Sequence, residues 1–298
     1  MIYKIRYHIM PWEIDLALLT YDRIAKSLPY IKDDIVLDSC LNLSSYIINW
    51  DESKLSKEFF IDKYKDLEKI LAKKITHNSK IYSGDQLYGH LDLEKESIDN
   101  NTDGYISICP DIWFSEQALY YLIEASKQIP NKYFTITPQI AKLWDSTWDP
   151  LVNPIYHDVP YNQYTEQDIF RIAFNQANST QEVTLRPLQH SKYAGWFDLY
   201  NKSFYNDIAP VENDWSGYGG WDLYSMTVAD ICRSKGLDYQ QYVLEGQTIY
   251  EHGKMDYTSF YKNHIILNDI PSQRENFREK TSQYISKRIN YLINNKTI

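Results

Sequence analysis

Cysteine is scarce in this chain: Cys40, Cys109 and Cys232 make three in 298 residues, an odd total with no CxxC pair. That argues against a disulfide framework or a cysteine-based zinc knuckle, and favours a reducing, cytoplasmic setting. Long apolar runs are missing too, since no stretch approaches the roughly 18 to 20 residues of a membrane helix. Residues 1–15 alternate and carry charge throughout, unlike a secretory signal. Basic charge is in deficit, with 31 Lys and Arg against 40 Asp and Glu and a formal charge of -9. Phosphate backbones are read mainly through Lys and Arg, so nucleic acid is not an expected partner. Glycine numbers only ten, of which Gly217, Gly219 and Gly220 sit together.

Aromatic residues are abundant, with 27 Tyr and 8 Trp. Their rings can cover the apolar faces of sugars while polar tips bond hydroxyls, although an aromatic-rich core explains them equally well. At 43% hydrophobic and 24% charged residues the chain is globular, and its length suits one large domain.

The patterning predicts an α/β order. Ile2–Met10 alternates as a strand that Pro11 ends, and Asp15 is a candidate N-cap for a helix through about Leu28. Asp34–Asp38 reads as a second strand followed by a polar loop at 39–45, and 56–74 as an amphipathic helix. Gly104–Cys109 is the clearest strand, Ser115–Gln128 a helix and Tyr133–Thr137 another strand. Helices are also expected near 87–99 and 165–177, and strands at 182–185 and 194–197. Residues 138–165, with four prolines, read as a long loop, and 211–220 as a glycine-dense one. Trp221–Ser234 is a helix stopped by Gly236, and Thr248–Tyr250 a short strand. The domain is expected to span 1–270, with 271–298 a polar C-terminal helix or tail. Strands alternating with helices favour a mostly parallel central sheet flanked by helices.

Four constellations could carry chemistry. Cys109-Pro110-Asp111 ends the best strand, and a carboxylate at such a strand end faces the ligand crevice of an open α/β sheet. Asp111 could bind a divalent ion shared with a diphosphate, or simply cap the next helix. Gly217-Tyr218-Gly219-Gly220-Trp221-Asp222 precedes a helix; its glycines allow close approach of a ligand, and Asp222 could deprotonate an acceptor hydroxyl or serve as an N-cap. His252 follows a strand and suits a transition metal, though a lone histidine is commonly structural. Met10-Pro11-Trp12-Glu13 and Leu37-Asp38-Ser39-Cys40 each end a strand. There Trp12 could stack on a base and Asp38 accept bonds from base or ribose, or both could be packing and turn residues.

The order of these segments resembles the GT-A class of nucleotide-sugar-dependent glycosyltransferases over most of residues 2–255. Ile9-Met10-Pro11-Trp12-Glu13 is similar to the nucleotide loop after the first strand, and Val36-Leu37-Asp38-Ser39 to the acidic nucleoside contact after the second. Asp103-Gly104-Tyr105-Ile106-Ser107-Ile108-Cys109-Pro110-Asp111 looks like the strand leading into the Asp-x-Asp motif, with Cys109 in place of the first Asp. The Gly217–Asp222 segment is similar to the acceptor and catalytic segment of animal galactosyltransferases, with Trp221 replacing an acidic residue. The late metal-binding histidine would fall on His252.

The resemblance implies a GT-A-like single domain that moves a sugar from a nucleoside diphosphate sugar to a glycan or other hydroxyl acceptor, with inversion. It implies Asp222 as base and Asp111 with His252 as ligands of Mn²⁺ or Mg²⁺. Pro11, Trp12, Glu13, Asp38 and Cys109 would meet the donor, and Trp144, Asp145, Trp148, Gly220 and Trp221 the acceptor. Two alternatives are a noncatalytic carbohydrate- or nucleotide-binding protein on the same scaffold, and a glycoside hydrolase using two carboxylates.

Overall fold

The structure, a computed structural model, describes residues 1–45, 48–50, 56–71, 75–85, 101–110, 112–142, 183–188, 197–210, 221–251, 266–267 and 271–295. Its strands are β1 (Ile2–Ile9), β2 (Asp34–Asn42), β3 (Ile48–Asn49), β4 (Thr76–Tyr82), β5 (Gly104–Ile108) and β6 (Ile112–Trp113). They continue with β7 (Tyr133–Lys142), β8 (Thr184–Pro187), β9 (Phe197–Asn201), β10 (Tyr239–Glu251) and β11 (Ile266–Leu267). The helices are α1 (Ile14–Ser27), α2 (Lys57–Leu71), α3 (Ala118–Ser126), α4 (Trp221–Arg233) and α5 (Pro271–Asn294).

A nine-stranded sheet runs in the order β4-β2-β1-β5-β9-β7-β10-β6, with β8 also on β10. Strands β4, β2, β1 and β5 are parallel neighbours, and β9 is antiparallel to both β5 and β7. Strand β7 therefore runs with β1, and β10 is parallel to β7. Six strands end on one edge, here termed the carboxyl edge. This is the mostly parallel, helix-flanked α/β sheet expected of a GT-A-like chain. Strands β3 and β11 pair separately.

Period-two alternation divides the sheet into two unlike faces. One face carries Ile5, Tyr7, Ile9, Leu37, Leu41, Ile106, Ile108, Phe197, Leu199 and Ile136, packed against α1, α2 and α3. Helix α1 meets it with Ile14, Ala17, Tyr21 and Ile24, residues at helical spacing. The other face is aromatic and polar. Tyr105, Tyr200 and Tyr239 there join Phe204 and Tyr205 of a π-helical turn, Phe204–Ile208, and Met226, Val228 and Cys232 of α4. Tyr284 and Leu292 of α5 are buried in the same cluster, so the described part of the C-terminal helix packs on the domain.

Several expected boundaries shift. Strand β2 runs four residues beyond Asp38, because Ser39, Cys40 and Leu41 pair with both β1 and β4, and Asn42 with β4, instead of forming a loop. Strand β7 likewise continues through 138–142; β9 is described over Phe197–Asn201, and residues 194–196 of the expected strand lie outside the described residues. Helix α1 starts at Ile14 with Glu13 at its N-cap. Asp15 lies in the first turn, where it accepts an ion pair from Lys63 of α2 at 2.6 Å. Gly236 does end α4, at φ 103. The helices expected at 87–99 and 165–177 and the loop at 211–220 lie outside the described residues.

Candidate functional site

Four elements converge on the carboxyl edge. Strand β1 ends into a 3-10 turn, Pro11–Glu13, in which buried Glu13 accepts the Met10 backbone N–H at 3.3 Å. Strand β5 ends at Ile108, and the next residues make a tight turn: the Ile112 N–H donates to the Cys109 carbonyl at 3.2 Å. Cys109 is half-buried there. That turn leads straight into β6, which pairs antiparallel with the last residues of β10, Ile112 opposite Glu251 and Trp113 opposite Tyr250. The chain thus brings the residue after Asp111 against the residue before His252. Asp111 and His252 themselves lie outside the described residues.

The turn is anchored from below. Ile112 and Phe114 are buried in the helix-covered core, and Phe114 packs on Phe197 with ring centroids 4.8 Å apart. Trp113 lies under the Arg23 guanidinium at 4.5 Å, a cation–π contact with α1. Thr20, fully buried in α1, donates its hydroxyl to the Pro110 carbonyl at 2.9 Å.

Helix α4 enters from the polar side. It leads through residues 234–238 into the start of β10. Met226 marks its level: its sulfur accepts the Tyr239 hydroxyl at 3.2 Å and lies 3.9 Å from that of Thr135. The helix begins with Trp221 and Asp222. The side chains of Trp221, Asp222 and Trp12 are outside the described set, as are Trp144, Asp145, Trp148 and Gly220 entirely.

Under this edge the sheet's polar face carries a buried hydrogen-bond network. The Thr137 hydroxyl donates to Asp198 and accepts from Gln241 Nε2 at 3.2 Å. The Tyr200 hydroxyl donates to the other Asp198 oxygen at 3.1 Å. Asp198, Thr137 and Gln241 are completely buried. A buried carboxylate is tolerable only with such donors, and the network makes a stiff floor across β9, β7 and β10.

Asp38 requires correction. It stands in the middle of β2, not at its end, and is 2% exposed. One oxygen accepts from Arg6 at 3.0 Å with Lys4 Nζ at 3.9 Å, and the other accepts from Asn78 at 2.7 Å. Arg6 also lies over the Tyr105 ring at 5.0 Å, and Tyr105 stacks on Tyr205 at 3.8 Å. Asp38 is thus an internal ion-pair partner, and the extension of β2 to Asn42 removes it from the edge. Asn42 sits there instead, its amide bonded to His8 Nε2 at 3.2 Å and its oxygen accepting the Ser44 N–H at 3.0 Å. Sequence reasoning passed over Thr20, Asp198 and Asn42. Thr20 alone left a signal, as a hydroxyl within the apolar stripe of α1.

No protein-family model matches the chain, and no curated protein does. Among solved structures it is similar to S. aureus TarS 1–349 in complex with UDP-GlcNAc, at TM-score 0.49 and 10% identity over 87% of this chain and 61% of that one. It is similar to the same TarS fragment in complex with UDP at TM-score 0.46 and 11% identity, covering 99% of this chain and 72% of that one. A mycobacterial protein is similar at TM-score 0.40 and 9% identity, over 82% and 65% of the two chains. The chain spans about 61% of the first of these. Among the described residues no helix is long and apolar enough to cross a membrane.

Proposed function

We propose that the protein is a glycosyltransferase that moves a sugar from a nucleoside diphosphate sugar to an acceptor hydroxyl, with inversion at the anomeric carbon. The observation that carries this is the β6–β10 pairing, Ile112 opposite Glu251, at the edge where β1 and β5 end. It supports a meeting of Asp111 and His252, whose carboxylate and imidazole make a suitable donor pair for Mn²⁺ or Mg²⁺. Bound there, such an ion would neutralise charge on the departing diphosphate.

In this reading Pro11, Trp12 and Glu13 line the nucleotide side with Cys109, and Asp38 drops out of the donor set. Asp222 removes the acceptor hydroxyl proton while that oxygen attacks the anomeric carbon from the face opposite the diphosphate. The new C–O bond forms as the bond to the diphosphate breaks, and the nucleoside diphosphate leaves. Trp144, Asp145 and Trp148, with Gly220 and Trp221, make the acceptor wall.

The test is a panel of nucleoside diphosphate sugars with Mn²⁺, read by release of nucleoside diphosphate and by product analysis. A donor that yields transfer product is expected, with turnover falling at least about 100-fold in Asp222→Asn, the scale of a lost general base. Donor binding should survive that change. Wild-type turnover by Asp222→Asn would remove Asp222 from the mechanism, and no turnover with any donor would favour a noncatalytic binding protein.

A further inference from the structure

The segment 109–115, the turn after β5 together with β6, is held by two side-chain contacts that packing alone does not call for. The first is Thr20. A threonine inside a helix ordinarily returns its hydroxyl to the carbonyl four residues back, here Leu16 at 3.4 Å. The shorter bond goes out of the helix, to Pro110 at 2.9 Å, with the Ile112 carbonyl at 3.4 Å. Those two carbonyls flank Asp111. One hydroxyl proton serves one acceptor well, so the Pro110 bond is the principal one. The remaining face of α1 around Thr20 is apolar, and Val would fill the same volume without a buried hydroxyl.

The second contact comes from β10. Between the pairs Leu244–Pro138 and Thr248–Gln139, residues 245–247 have no partner on β7, which makes a bulge. Gly246 adopts φ 83 at its apex and donates its N–H to Gln139 Oε1 at 3.2 Å. The bulge presents Gln247, whose Nε2 bonds the Gly246 carbonyl at 3.0 Å and whose Oε1 accepts the Ser115 hydroxyl at 2.8 Å. Ser115 is three residues after Ile112, just beyond β6. The strand that leads to His252 thereby grips the segment that follows Asp111.

We propose that Thr20 and the Gln247–Ser115 pair are positioning residues for a divalent cation between Asp111 and His252, fixing the turn against the end of β10. The proposal rests on the reading of those two residues as metal ligands. None of the three touches the reacting atoms; each acts through the backbone it restrains, and errors of about 1 Å in such a shell are enough to spoil a site.

The experiment titrates Mn²⁺ into the full chain with each of ADP, CDP, GDP and UDP present, following the loss of the free Mn²⁺ electron paramagnetic resonance signal. Thr20→Val, Ser115→Ala and Gln247→Leu should weaken Mn²⁺ binding about tenfold or more, the scale of outer-shell losses at metal sites. Thr20→Ser and Ser115→Thr restore the hydroxyl and should keep binding within about twofold of the unaltered chain. Thermal unfolding is recorded for each, and the comparison is made below the transition of the least stable variant. Asp111→Ala and His252→Ala are the controls. If they abolish binding while Thr20→Val and Gln247→Leu leave it unchanged, the positioning proposal is overturned and the metal reading stands. If the controls bind as tightly as the unaltered chain, the metal reading itself has failed, and the positioning proposal fails with it.

Discussion

At the scale of single residues, the half-buried His77 of β4 shows how burial couples to pH. Its Nε2 lies 2.7 Å from Ser39 Oγ, which is 2.6 Å from the Tyr64 hydroxyl. Burial lowers the His77 pKa from its ordinary 6.5, opposed by the charges of Glu68 and Asp38. The folded state therefore binds fewer protons than the unfolded one below pH 6.5, and stability must fall as pH drops from there toward the folded pKa. Above 6.5 the contribution is complete. Urea unfolding at pH 7.5, 6.5 and 5.5 should show a falling midpoint in the unaltered chain and a flatter profile in His77→Gln. Equal slopes would mean that His77 does not titrate differently on folding. The sequence made residue types legible here, but not partners. Asp38 stood out as an acid near a strand end, and only the register of Arg6 with Asp38 and of Asp38 with Asn78 shows its charge consumed inside the sheet.

At the scale of elements, legibility followed how completely a segment obeys one period. Strand β1 and helix α2 alternate or repeat cleanly, and their expected limits are nearly those observed. Strand β2 ends in Ser39, Cys40 and Asn42, polar or small residues that suggest a loop; Ser39 and Cys40 are buried between β1 and β4, and Asn42 is buried beside β4. Strand β4, at the sheet edge, has too few apolar residues to announce itself, since neighbours on one side supply its pairing. Strand β10 was seen only at 248–250, because its bulge interrupts the alternation. Leu244 and Ile249 both enter the helix-covered core although they stand an odd number of positions apart, and residues 245–247 absorb the change of phase. The same bulge hides the Gln247–Ser115 contact, a pairing of residues far apart in sequence that no local pattern signals. Gly246 makes the bulge testable. At φ 83 a Cβ is strained, so Gly246→Ala should cost about 1–2 kcal/mol in chemical unfolding, and Gly246→Asn less, since Asn tolerates that region better. Equal stability of all three would mean that the backbone relaxes there without cost.

For the whole molecule, the question is whether the two faces of the sheet unfold as one unit. The alternation of strands and helices along the chain was legible because connections in an α/β sheet return to the same edge, whereas the packing of the layer formed by α4, α5 and the π-helical turn was not. Its cohesion comes from aromatic contacts between distant segments, such as Tyr200 on Phe204 at 5.8 Å and Phe204 on Tyr239 at 5.4 Å. Arg288 of α5 adds a bond to the Asp207 carbonyl of the π-helical turn. Both layers share β5, β9, β7 and β10, so loss of either exposes one side of the same strands. Leu292 of α5 is 1% exposed and Ile5 of β1 is 0% exposed, on opposite faces. Truncating a buried aliphatic side chain to alanine costs about 2–5 kcal/mol, so Leu292→Ala and Ile5→Ala should each lower stability by that order. If the sheet couples the layers, far-ultraviolet circular dichroism and tryptophan fluorescence will trace one transition in both variants, displaced together. A Leu292→Ala chain in which one signal moves and the other stays would make α5 a separately melting attachment, and the polar face of the sheet would then stand without it.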